Sequence, residues 1–131
     1  MRAQSKAMTI AGWVLTGLLG LFLTVVSGTP KFTNPPFLQE LLRDKLGWPP
    51  EKALMLGILE VGCTLLFVIP RTSVLGAILL TGYLGGATAT HVRIGDPWFF
   101  PVILGVLVWL ALFLRDPRLR AILPLTPPAK P

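Results

Sequence analysis

The charges in this chain are confined to a few places, and that placement limits what it can fold into. Residues 7–30 carry no charge, nor do residues 72–90 or 97–114, and residues 53–70 carry one, Glu60. Each run is about long enough to cross a ~30 Å hydrocarbon layer as a helix. Charged residues make up 14% of the chain, against about 25% in soluble domains. Four buried helices of a soluble bundle would show a polar face at every turn, and these runs do not. The expected fold class is therefore all-α: an integral membrane four-helix transmembrane bundle with spans at about 8–27, 53–69, 74–91 and 98–114. Arg2, Lys6 and the small residues of "VVSG" resemble a cleaved leader. The apolar stretch 8–27 is longer than a leader's ~7–15 residues, so it reads as a retained first span.

Span one carries Gly12, Thr16, Gly20 and Thr24 on one ridge, the spacing that lets a neighbouring helix approach closely. "GTPKFTNPP" reads as a turn-rich connector, with Asn34 as the cap of a helix that Pro35 and Pro36 begin. "FLQELLRDKLG" then predicts a short interfacial amphipathic helix between spans one and two. Its apolar side is Phe37, Leu38, Leu41 and Leu42, Gly47 ends it, and Trp48 sits at headgroup depth. The three residues of "RTS" make spans two and three antiparallel neighbours. Residues 115–131 form a basic, Pro-rich tail, with Arg115, Arg118 and Arg120 expected at the cytoplasmic headgroups. The side holding both termini has seven Lys and Arg and the other side five, so both termini are expected in the cytoplasm.

Glu60 is the sharpest feature. A carboxylate at mid-span costs about 2.5 kcal/mol or more on insertion scales, so it must face the bundle interior with a partner or carry a proton. Its expected neighbours are span one threonines, the end of span three, or a ligand. It lies roughly 10 Å in from the start of its helix, within reach of the end of span three if the two helices pack antiparallel. Glu60, Tyr83, Thr90 and His91 are therefore candidate walls of one polar pocket, with Arg93 and Asp96 as loop candidates above it. A carboxylic acid beside a histidine suits proton transfer; the plainer reading is a hydrogen bond that clips two helices together. Arg93 and Asp96 read as a local ion pair, and Asp96 also as the N-cap of span four. Cys63 shares the Glu60 face and reads as a small apolar filler. Gly82, Gly85, Gly86, Ala87 and Ala89 read as tight packing, or as room for a flat or chain-like ligand. One cysteine and one histidine build no metal site, and the net charge of +6 comes without a nucleic-acid-binding face.

The segment "VIPRTSVLGAILLTGYLGGATATHVRIGDP", with Glu60 upstream and "FFPVILGVLVWLALFLRDPRLRAILPL" downstream, resembles the DoxX-like membrane proteins from about Gly12 to Leu125. The resemblance implies a four-helix bundle in the bacterial cytoplasmic (inner) membrane. It also implies a link to quinone-dependent oxidoreductase assemblies, in which such chains serve as membrane subunits. On that basis the chain brings no cofactor of its own, a quinone is the candidate small molecule, and the partners are the lipid bilayer and another membrane or redox protein. The alternative is a non-catalytic packing or assembly partner. A transporter reading is weakest, because no inverted repeat is visible, although a homo-oligomer could form a path.

Overall fold

The computed structural model describes residues 4–120 and residue 129. The expectations for Arg2, Lys130, the Arg120 side chain and the tail beyond 120 lie outside the described residues. Within them the fold is all-helical, without a strand. Ser5 caps α1 (Lys6–Leu21), its Oγ accepting the Met8 N–H at 3.1 Å. The helix does not stop at the expected connector. It widens through a π-turn over Phe22–Val26 and continues into α2 (Thr29–Thr33), giving a rod of 28 residues, Lys6–Thr33. Pro30 explains the widening. It has no N–H, and its ring blocks the carbonyl one turn back, so Ser27 N–H bonds the Phe22 carbonyl at 2.9 Å instead.

Asn34 does not cap the following helix. It ends the rod in a left-handed conformation, φ 49°, which asparagine tolerates better than most residues, and its Nδ2 donates to the Pro50 carbonyl at 3.3 Å. The short helix follows as α3 (Pro36–Glu40), widened over Leu41–Leu46 and ended by Gly47 at φ 72°. Leu38 and Leu42 are buried with Ala53, while Phe37 and Leu41 of the expected apolar side are exposed, so only half of that side packs against the bundle.

The remaining helices are α4 (Ala53–Val68), α5 (Ser73–Arg93), α6 (Phe99–Arg115) and the short α7 (Pro117–Arg120). α1 packs on α6, α6 on α5 and α5 on α4, and α2 returns to α4. Leu23, Phe67, Leu80, Val108 and Leu112 form the centre of the core. Close approach is bought by glycine at two points: a Cβ at Gly12 would meet the Arg115 backbone, and one at Gly76 would meet the Phe67 backbone. The Gly12, Thr16 and Gly20 ridge is buried as its spacing predicts. Two helices, Lys6–Thr33 and Pro70–Arg93, are long and apolar enough to cross a membrane.

Arg115, at the end of α6, makes contacts that its place at a span end did not suggest. Its side chain does not extend into the open but is folded inward, with the residue 7% exposed. Nη1 donates to Thr16 Oγ1 at 2.9 Å and Nη2 to the Phe67 carbonyl at 2.7 Å. The guanidinium also lies over the Trp13 ring, 4.4 Å from its centroid. One residue thus ties α1, α4 and α6, and the tie persists because the flat cation stacks on aromatic faces as well as donating. Arg118 is exposed and pairs with Asp116 at 2.8 Å. Its hydrogen bonds hold the Asp116 carboxyl below the usual carboxylate range. Arg115→Met is expected to cost about 2–4 kcal/mol and Arg118→Met to leave stability unchanged, read by thermal unfolding in detergent. Equal effects would show that the buried tie adds nothing.

Candidate functional site

The buried residues of α4 include Gly57, Glu60, Thr64 and Phe67, a spacing that puts them on one face. Glu60 therefore points into the bundle, 1% exposed. Its Oε2 takes two partners. Lys31 Nζ, on α2, stands at 2.7 Å, and the Tyr83 hydroxyl, on α5, donates at 3.1 Å. Lys31 Nζ also donates to the Ser27 carbonyl at 2.7 Å and to Ser27 Oγ at 3.1 Å. All three ammonium donors are thereby placed. A buried ion pair is tolerable only with such added hydrogen bonds, because removing two charges from water costs several kcal/mol per ion. The expected span one threonines do not reach Glu60. Thr16 and Thr24 bond carbonyls of their own helix, those of Gly12 and Gly20.

Beside this pair opens a cavity of about 490 Å³. Glu60, Tyr83, Thr90 and His91 all line it, together with Lys31, Trp48 and Asp96. Phe22, Leu23, Phe100 and Leu104 give it apolar walls, and Leu38, Leu41 and Leu42 of the short helix cover it. Trp48 Nε1 donates to Thr90 Oγ1 at 3.4 Å. His91 Nδ1 is buried without a hydrogen-bond partner among the described residues, 3.8 Å from Asp96 Oδ2.

The loop residues behave differently from the expectation. Arg93 and Asp96 do not pair with each other: Arg93 Nη2 donates to the Leu46 carbonyl, and Asp96 pairs with Lys45 at 3.3 Å. Asp96 does not cap α6 either; that position falls to Trp98, with no side-chain bond. The reason is that Val92 and Arg93 extend α5 before the chain turns at Ile94 and Gly95, the latter at φ 74°. Asp96 is thereby left facing the short helix. Both loop residues thus hold the cover over the cavity. The small residues of α5 also divide. A Cβ at Gly82, Gly85 or Gly86 would meet no atom within 4 Å, so tight packing does not account for these three. Cys63 is free, partly buried and packed against the core, as a filler would be.

Lys31, Lys45 and Trp48 were missed as site residues. The signal for Lys31 was indirect. A mid-span carboxylate needs a cation, and Lys31 is the first charge after span one. The proline beside it made its segment read as a turn.

Antiparallel apolar helices around a buried ion pair, two of them long enough to cross a bilayer, point to a membrane protein. The sequence signature of the DoxX-like family matches residues 14–113, and the chain belongs to that family. Among curated proteins and solved structures no match was found.

Lys31→Met strands the Glu60 charge and is expected to cost about 3–5 kcal/mol, while Lys31→Met with Glu60→Leu recovers most of that loss. Reversible unfolding of the purified chain measures both. A single-variant loss below about 0.5 kcal/mol would mean that Glu60 has another partner.

Proposed function

We propose that this DoxX-like protein crosses the bacterial cytoplasmic membrane four times, with both termini in the cytoplasm. In this reading it is the membrane subunit of a redox assembly and holds a quinone-like molecule between its helices. The cavity walled by a fully buried, ion-paired acid is the observation that carries the reading. Four spans accord with the outward faces of the helices. Val14 and Leu18 on α1, Ile58 and Leu65 on α4, Leu75 and Ile78 on α5, and Ile103 and Val106 on α6 are each about half exposed. So much apolar surface suits lipid and not water. α4 and α6, with 16 and 17 residues, extend about 24–26 Å, and a bilayer thins to meet spans of that length. Labelling single cysteines placed in the "RTS" turn and in the 93–97 loop tests this. The first is expected to react only from the cytoplasmic side and the second only from outside; reaction of both from one side would overturn four spans.

A quinone-type ring, when bound, supplies two-electron chemistry, with the electrons coming from the partner protein. The residues here fit such a group. The Tyr83 oxygen, its O–H already given to Glu60, can accept from the hydroxyl of a reduced ring, and the open His91 Nδ1 offers a further polar contact. A carboxylate–ammonium pair that can pass one proton between its members is suited to supplying or taking up the proton that accompanies electron transfer. Extraction of the chain from native membranes in mild detergent provides the test. Mass spectrometry of the organic extract is expected to show a quinone retained by the wild type and reduced about tenfold in Glu60→Gln. A wild type that retains no small molecule, but carries a second membrane protein which Glu60→Gln loses, would favour the packing role instead.

A further inference from the structure

Resting on the reading of the cavity as a ligand site, we infer that its occupant is a slender molecule lying lengthwise on α5, with a polar group at each end. Tyr83, Gly86, Ala87 and Thr90 follow one another at positions i, i+3, i+4 and i+7, so they share one helical face, and all four line the cavity. The two ends of this strip are polar. At one end Tyr83 joins Glu60 and Lys31. At the other, Thr90 stands beside His91, whose Nδ1 has no hydrogen-bond partner among the described residues. Seven residues of helix separate the ends by about 10 Å.

Between them the floor is bare. A Cβ at Gly82 or Gly86 meets nothing within 4 Å. The contrast lies within the same helix, because a Cβ at Gly76 would run into the backbone of Phe67. Glycine therefore does two separate things on α5. At Gly76 it admits the neighbouring helix; at Gly86 it leaves room that no protein atom takes up. Phe100 and Leu104 line the same space. It thus suits a flat or unbranched apolar middle lying in the room left at Gly86. Gly86 is then the residue that sets which molecules fit.

The test uses the full chain in lipid nanodiscs and a linear α,ω-diol that carries a mid-chain diazirine and spans the distance from Tyr83 to Thr90. Illumination is expected to label peptides containing Gly86 and Leu104. Gly86→Leu is expected to reduce that labelling about tenfold, with the melting temperature equal or higher, since the new side chain enters free space and replaces a helical glycine. Gly17→Leu, where a Cβ also meets nothing but which lies outside the cavity lining, is expected to leave the labelling unchanged. Cavity labelling that Gly86→Leu does not reduce would overturn the lengthwise placement alone. Labelling found only on lipid-facing residues such as Ile103 and Val106 would overturn the cavity as a site for this class of molecule, whatever the quinone extraction shows.

Discussion

The contact between Lys31 and Glu60 organises one end of this molecule. A carboxylate on the inner face of α4 must be met by a cation, and the cation can reach it only from a helix that runs further than its apolar residues require. The rod Lys6–Thr33 does so by widening at Phe22–Val26 and accommodating Pro30. Ser27 then lies one turn before Lys31 and takes up its remaining donors. The same geometry brings Tyr83 to the carboxylate from the other side. Three helices are fixed around a single oxygen atom, and the space beside it cannot close without displacing one of them.

The other end is fixed differently. There Arg115 is held by a hydroxyl, a backbone carbonyl and two aromatic faces. α4 takes part in both arrangements, through Glu60 and through the Phe67 carbonyl. Below, α5 comes against α4 at Gly76 and the core is full. Above, the ion pair and the covering helix separate the walls, and the core becomes a cavity. The cover is secured by Lys45 to Asp96, Trp48 to Thr90 and Arg93 to the Leu46 carbonyl.

Helix positions were legible because hydropathy and proline report them directly; α4 and α6 begin and end within about two residues of the charge-poor runs, and α5 runs three residues past the end of its own. The polar walls Glu60, Tyr83, Thr90 and His91 could be named because a bundle leaves few places for such side chains. What stayed hidden depends on tertiary position. Proline in "GTPKFT" argues for a turn until a π-turn upstream relieves it, so Lys31 could not be placed on a helix. Arg115 reads as a headgroup residue by its place at a span end; only the Trp13 and Phe67 rings make burial favourable. Asp96 followed by proline has the local form of a cap, and the longer α5 redirects it.

The pairing of α1 with α6 has a consequence for how the molecule is made. The chain leaves the ribosome from its N-terminus, so α1 emerges before α4 and α5, and its main neighbour α6 emerges after them. Arg115 bonds residues 99 and 48 positions earlier. Until it arrives, the Gly12–Thr16 part of the ridge lacks the helix that covers it, and Gly20 alone of the ridge meets α4, through Val68. α4 and α5, joined by a tight turn, can assemble as a hairpin while α1 waits. Contacts so distant in sequence form slowly, and an unoccupied small-residue ridge is a surface that other helices can bind in the meantime. Closure of this bundle therefore waits for α6, and a chain interrupted before α6 would present part of its first helix to the rest of the membrane.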